Sequence, residues 1–302
     1  MAETKDSKNP GHLVPQRHQQ MDFFVADILD AAPKGDLASM EHPLFALKAG
    51  DMRVRTYERN GVTVTVKPGH DGCATIHDKD LWIYCISQLV EAINRGREVS
   101  RVVRFTAYDF LVSTNRRTDG DSYQRMGKMF ERLSGTRIET NIETAATKER
   151  GWFGLIDHAR VIERDGGGRM VAVEVGMPEW LFRSVQAMQV VTLSRDYFRL
   201  RKPLDRRIYE LARKHCGSQP KWRVALAILH EKSGSTSPLR NFRGDIKKLA
   251  ESGEMPDYRL DYDAQADAVT FYSRGEKGHL AQLKDITGKD HKPRRVGTFQ
   301  RI

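Results

Sequence analysis

The sequence predicts an α+β fold made of two successive copies of one helix-and-strand unit, on three observations. A helical spacing of 0, 4, 7, 11 occurs twice, as Trp82, Ile86, Leu89 and Ile93 and again as Leu204, Ile208, Leu211 and His215. A second spacing, 0, 3, 7, 10, also occurs twice, as Tyr123, Met126, Phe130 and Leu133 and as Leu239, Phe242, Ile246 and Leu249. After each member of the second pair the sequence turns to strand-like runs, which alternate with period two. Each spacing alone is generic for an amphipathic helix; the same order met twice is the stronger signal. At 302 residues the chain has room for two cores.

The elements follow in order. The first twenty residues are polar, with Pro and Gly, and cannot pack. "MDFFVADILDAAPKG" (21–35) reads as a short amphipathic helix ended by Pro33 and Gly35, so that 1–37 form a flexible arm. The first unit spans 38–176. Its helix "HDKDLWIYCISQLVEAINRG" has acids in the first turn and Gly96 as a stop. The β-rich "VSRVVRF" comes next, then "TAYDFLVSTN", where Thr106 and Asp109 suit a capping box. The loop "RRTDG" leads to the helix of Tyr123–Leu133, capped by Asp121 or Ser122. "TRIETNI", "WFGLIDHARVIE" and "RMVAVEVG" read as strands, joined by "ETAATKERG" and by the turn "RDGGG".

Residues 177–201 read as a connecting helix and linker. The second unit, 202–274, opens with "KPLDRRIYELARKHCG" and continues with the short strand "KWRV" and the helix "ALAILHEKSG". Ser237 and Pro238 suit the N-cap and first position of "LRNFRGDIKKLAE", and "DYRLDY" and "AVTFYS" close the unit as strands. Residues 275–302 are basic and poor in apolar periodicity, and read as a tail.

Helix, short strand, helix, turn, helix and hairpin is the order of a winged helix. The predicted fold is therefore a pair of tandem winged-helix (helix-turn-helix) domains related by pseudo-duplication. Such a domain exposes its third helix, which fits the major groove of double-stranded DNA, where base pairs present distinct donor and acceptor patterns. Gln124, Arg125, Lys128 and Arg132 supply contacts of the right chemistry in the first copy. Arg240, Asn241, Arg243, Lys247 and Lys248 supply them in the second, with Ser237 placed to meet a phosphate at the helix N-terminus. A solvated surface face would carry the same charges, and the duplication decides for DNA. The cationic faces do not superpose: Arg125, Lys128 and Arg132 lie at +2, +5 and +9, but Arg240, Arg243 and Lys247 at +1, +4 and +8. Lys148 and Arg150 occupy either a wing tip reaching phosphate or a solvent loop, and "KPRR" near the C-terminus either adds phosphate contacts or solubilises.

Charge agrees with an anionic partner. Lys and Arg number 50 against 40 Asp and Glu, a net +10 with pI about 9.5. Three cysteines without a CxxC pair argue against a disulfide framework and for a reducing compartment. With no membrane-length apolar run and no signal peptide, the expected location is the cytoplasm.

Catalytic sets are not expected, nor any cofactor or metal. The ten histidines are scattered, and no HExxH or Walker-type loop occurs. Asp78 with Asp80 and Asp261 with Asp263 have the spacing of Mg²⁺-binding carboxylates, but read as first-turn acids and exposed hairpin charge. The expectation is a DNA-binding protein that is not an enzyme.

Longer runs carry a resemblance. "HPLFALKAGD", "LWIYCISQLVEAINRGREVSR", "RFTAYDFLVSTNR", "RLSGTRIETNI" and "RKPLDRRIYELARKHCG" resemble the replication initiator protein A family of broad-host-range plasmids, over most of 17–260. The family is similar in turn to initiators with two winged-helix domains that bind directly repeated origin sequences, or iterons. The resemblance implies a non-catalytic plasmid replication initiator. It would help open adjacent A+T-rich DNA, recruit the host initiator and replicative helicase, and repress its own promoter, with a homodimer among its forms. The alternative is a winged-helix transcriptional repressor or a plasmid partition or copy-control protein.

Overall fold

The structure is a computed structural model that describes residues 32–59, 61–141, 143–144, 147–148, 151–163 and 170–287. In chain order the elements are β1 (Lys34–Asp36), α1 (Leu37–Glu41), β2 (Arg55–Arg59), β3 (Val62–Lys67), α2 (Asp80–Asn94), β4 (Val102–Phe105), α3 (Ala107–Ser113) and α4 (Gly120–Gly135). There follow β5 (Arg137–Thr140), β6 (Glu143–Thr144), β7 (Thr147–Lys148), β8 (Gly151–Gly154), β9 (His158–Glu163), β10 (Met170–Gly176), α5 (Glu179–Gln186), β11 (Val190–Thr192) and a 3-10 turn at Arg195–Arg199. The last part holds α6 (Pro203–His215), β12 (Lys221–Ala225), α7 (Leu226–Ser233), α8 (Leu239–Ser252), β13 (Tyr258–Asp263), β14 (Ala268–Ser273) and α9 (Glu276–Ile286). The class is α+β. Among the described residues no helix is long and apolar enough to cross a membrane.

The chain forms two compact units. Among the described residues, one draws on 32–36 and 50–199, the other on 37–49 and 200–287. In the first, α2 is buried nearly all round: Leu81, Ile83, Cys85 and Val90 are as enclosed as the periodic Trp82, Ile86 and Leu89. Tyr84, Phe105 and Phe110 form one ring cluster, with centroids 4.8 to 6.0 Å apart. Gly96 ends α2 at φ 67°, which lets the Arg97 N–H reach the Ala92 carbonyl at 2.9 Å. Thr106 caps α3 by accepting from the Asp109 N–H at 3.0 Å. The cap of α4 is Asp119, which accepts from the Ser122 N–H and hydroxyl at 3.0 and 2.7 Å. Asp121 and Ser122, the expected caps, lie within the first turn, because Asp119 still has the extended backbone a cap requires.

Two three-stranded sheets share one order. The first unit pairs β4-β10-β9 and the second pairs β12-β14-β13, in each case with the last strand central. The expected strand "WFGLIDHARVIE" is two elements: β8 belongs to a separate four-stranded sheet, β2-β3-β5-β8, and only β9 joins the hairpin with β10. The break falls at Leu155 and Ile156, which are buried. So the hairpin matching β13–β14 is β9–β10, and the connection "ETAATKERG" lies between β5 and β8 instead.

Three expected boundaries are corrected. Lys34–Asp36, expected in the flexible arm 1–37, is a strand paired with Val190–Thr192. Residues 37–49, expected in the unit starting at 38, fold with α6 and α7. The reason is Arg207, 2% exposed, which donates to the carbonyls of Ser39 at 3.0 Å and Lys232 at 2.8 Å. Glu41 also binds Lys214 and Lys232. Finally, Glu276–Ile286, expected in the tail, is a helix on β14: Asp285 accepts from Lys221 Nζ at 2.6 Å and Tyr272 Oη at 2.7 Å. At Gly278 an added Cβ would overlap the Ser273 carbonyl oxygen, so a small residue is required there. The rest of the arm and tail, 1–31 and 288–302 with "KPRR", lies outside the described residues.

Candidate nucleic-acid interface

Two surface helices carry the candidate residues. α4 buries Met126, Met129, Phe130 and Leu133, and α8 buries Phe242, Ile246 and Leu249. What remains outward is set by this inward stripe. On α4, Gln124, Arg125 and Lys128 are exposed; on α8, Arg240, Asn241, Lys247 and Lys248 are. The Lys247 ammonium sits 5.0 Å from the centre of the Tyr262 ring, a cation–π contact that orients it along the hairpin side of α8.

Two of the predicted arginines are held by carboxylates on neighbouring elements. Arg132 turns onto Asp78, with Nε to Oδ2 at 2.8 Å and Nη2 to Oδ1 at 2.7 Å. The same carboxylate accepts from the Thr75 N–H and hydroxyl, so it closes the turn before α2 and anchors the end of α4 there. Arg243 makes the same bidentate contact with Asp267, at 2.9 and 2.8 Å. Asp267 has φ 45° in the turn between β13 and β14, also accepts from Tyr262 Oη at 2.6 Å, and its carbonyl accepts from the Leu226 N–H at 2.8 Å. The hydrogen bonds from Arg243 and then Tyr262 hold the Asp267 carboxyl down to about 2. Both arginines brace the helix that bears them. A planar, bidentate fork meets a carboxylate well, and in each case two of the guanidinium donors are committed to it.

Exposed Gln124 and Arg125 lie at +1 and +2 of α4, and exposed Arg240 and Asn241 at +1 and +2 of α8. The one-residue offset between Arg125 and Arg240 remains when Arg132 and Arg243 are set aside. Both helices expose one arginine and one carboxamide just after the first apolar residue of the stripe, in opposite order: Gln124 then Arg125 on α4, Arg240 then Asn241 on α8.

The remaining predicted residues are placed as follows. Ser237 is exposed, but the cap of α8 is Pro238 and no side chain caps it; the Ser237 carbonyl lies 2.8 Å from His230 Nε2. Helical backbone begins at Leu239, one residue later than expected. Lys148 lies on β7, away from the β9–β10 hairpin, and Arg150 lies outside the described residues. Sequence reading missed Arg160, 70% exposed on β9 beside Glu174. The missing signal was the break at Leu155–Ile156. It also gave no role to Trp152 and Arg137, although alternation in Gly151–Gly154 implies that one of Trp152 and Phe153 faces out.

The candidate carboxylates are mostly held by arginines. Asp80 accepts from Arg116 at 2.9 Å and Asp263 from Arg223 at 2.6 Å, as Asp78 does from Arg132. Burial raises the thiol pKa of Cys73, Cys85 and Cys216, the last to about 11. These are core groups in chemistry as in position.

The sequence profile of the family Replication initiator protein A matches residues 34–260. A protein of Wigglesworthia glossinidia brevipalpis, whose name proposes a replication protein, is 42% identical over 257 residues, 84% of this chain and 94% of its own. The chain belongs to the replication initiator protein A family. Its role lies in replication initiation. Two crystal structures of domains 2 and 3 of RctB share the fold. One has a TM-score of 0.54 at 12% identity, covering 80% of this chain and 99% of that one. The other has 0.52 at 10%, covering 77% and 95%.

Proposed function

We propose that this family member is a plasmid replication initiator that reads directly repeated origin sequences with two winged-helix domains, α4 and α8 being the reading helices. The observation that carries this is the pair of helices: each follows the same element order, precedes a hairpin in a sheet of the same order, and exposes an adjacent arginine and carboxamide, in opposite order on the two. Arginine pairs bidentately with guanine, and asparagine or glutamine with adenine. One chain with two reading helices engages two groove segments without two-fold symmetry, which suits direct repeats over a palindrome.

The action is one of binding and not catalysis, without metal or cofactor. Binding bends the repeats and helps open adjacent A+T-rich DNA, whose flexible steps deform at least cost. The host initiator and replicative helicase are then recruited in the cytoplasm, and a dimeric form represses the initiator's own promoter. Footprinting on DNA flanking the gene tests the reading. Protected direct repeats support it; one protected palindrome favours a transcriptional repressor.

A further inference from the structure

Helix α9 packs on the sheet of the second unit by its small and polar side and turns its apolar side to water. Gly278 closes on the Ser273 carbonyl, Gln282 accepts from Arg259 at 2.9 Å, and Asp285 accepts from Lys221 and Tyr272. At about 100° per residue, Leu280 and Leu283 lie about 200° and 140° round the helix from Gly278. They are 50% and 43% exposed, and Ile286 is 73% exposed. Of the seven large apolar residues exposed among the described residues, three are thus on this helix. The ridge they form stands on a firm base.

That base also separates α9 from the candidate reading helix. Lys221, Tyr272 and Arg259, which hold α9, form one cross-strand row. Tyr262 shares the opposite side of the sheet with Leu260, Phe271 and Trp222, and there it meets Lys247 of α8.

Charge says what the ridge suits. Lys277 and Lys284, both exposed, bracket Leu280 at three residues before and four after. Glu276, the other acid of the helix, lies in its first turn, where the helix dipole favours it. Residues 274–302 hold eight Lys and Arg against three Asp and Glu, which is half of the chain's net +10. The complementary surface is both apolar and anionic.

Size favours lipid over an acidic protein. A protein interface of ordinary size covers about 800 Å² on each partner, which three side chains on one convex helix do not supply. A bilayer sets no such threshold. Each apolar side chain that enters the headgroup boundary, and each cation above an anionic surface, adds separately.

We propose that α9 and the basic run behind it are a peripheral docking surface for anionic phospholipid. Leu280, Leu283 and Ile286 enter the headgroup boundary, and Lys277 and Lys284 meet lipid phosphates. With the sheet between α9 and α8, a molecule resting on lipid keeps α8 uncovered for DNA. The proposal stands apart from the reading of DNA and does not depend on it.

Flotation of the full chain with vesicles tests it, using phosphatidylcholine alone and an equal mixture of phosphatidylcholine and phosphatidylglycerol. The parent should bind the mixed vesicles at least about tenfold more strongly than the neutral ones, and less as salt rises. Leu280→Ser, Leu283→Ser and Ile286→Ser together should cut that binding by about tenfold or more. These side chains are exposed, so the thermal midpoint should hold. Lys277→Gln with Lys284→Gln should weaken binding to the mixed vesicles alone. Duplex affinity should stay within about twofold of the parent in both variants. A parent that ignores both vesicles, or does not distinguish them, overturns the proposal. Equal binding by the triple variant also overturns it, since the basic run would then suffice. Self-association of the parent without vesicles, lost in the triple variant, assigns the ridge to a second copy and overturns it. Polyglutamate bound by the parent and not by the triple variant, with no vesicle binding, assigns the ridge to an acidic protein and does the same.

Discussion

Arg132 and Asp78 form a two-point ion pair at 2.8 and 2.7 Å that fastens the last turn of α4 to the turn before α2. Asp78 is 4% exposed at its side chain and Arg132 22%. Arg132→Gln strands a buried carboxylate and should cost about 2–3 kcal/mol of stability by denaturant unfolding. Duplex affinity of the folded variant should change by less than about twofold, because the Arg132 guanidinium is engaged by Asp78. A tenfold loss of affinity at unchanged stability would return it to the interface.

Arg125→Ala and Arg240→Ala should behave in the opposite way. Both side chains are exposed, so stability should move by no more than about 0.5 kcal/mol. Specific duplex affinity should fall by about 1–3 kcal/mol in each, with discrimination relaxed at one base position. Titration of the two variants against single-base variants of the preferred site checks this.

The Arg243–Asp267 pair predicts a pH dependence. The folded-state Asp267 carboxyl lies at about 2, below its ordinary value of about 3.9. A depressed carboxyl adds stability above the ordinary value and loses it as pH falls through the folded one. In Arg243→Ala the carboxyl returns toward the ordinary range. The gap in thermal midpoint between parent and variant should thus be widest at neutral pH and close as pH falls from about 4 to 2. The pair is partly exposed, and a small gap is expected.

Helix α9 should prove part of the second unit. Burial alone would raise the Asp285 carboxyl, yet hydrogen bonds from Lys221 and Tyr272 leave it below the ordinary range. Asp285→Ala removes those contacts and should cost about 1 kcal/mol, with earlier amide exchange in Glu276–Ile286. Identical exchange in parent and variant would mean that α9 is held by other contacts.

Much of this was legible in the sequence because the inward stripes of α2, α4, α6 and α8 are apolar and periodic. Gly96 and Thr106 worked as punctuation through purely local backbone chemistry. What could not be read depended on partners distant in sequence. The ion pairs of Arg132 and Arg243 leave no local mark, since Asp78 and Asp267 lie 54 and 24 positions away. Residues 37–49 have no local mark of their partnership with α6, since the link is the buried Arg207 bonding to backbone carbonyls. α9 escaped notice because polar pairs, and not an apolar stripe, fix it to β14; its Leu280, Leu283 and Ile286 stay exposed. The run "WFGLIDHARVIE" could not be divided into β8 and β9 because an inserted sheet, β2-β3-β5-β8, takes its first part.

The most direct test of the central claim is fluorescence anisotropy with duplexes tiled across the DNA flanking the gene, against a shuffled duplex, over a range of salt. The account predicts a directly repeated site bound at least about a hundredfold tighter than the shuffled duplex, with that preference lost when Arg125 and Arg240 are both replaced by alanine. Equal, salt-sensitive binding to every duplex, unchanged in the double variant, would contradict it.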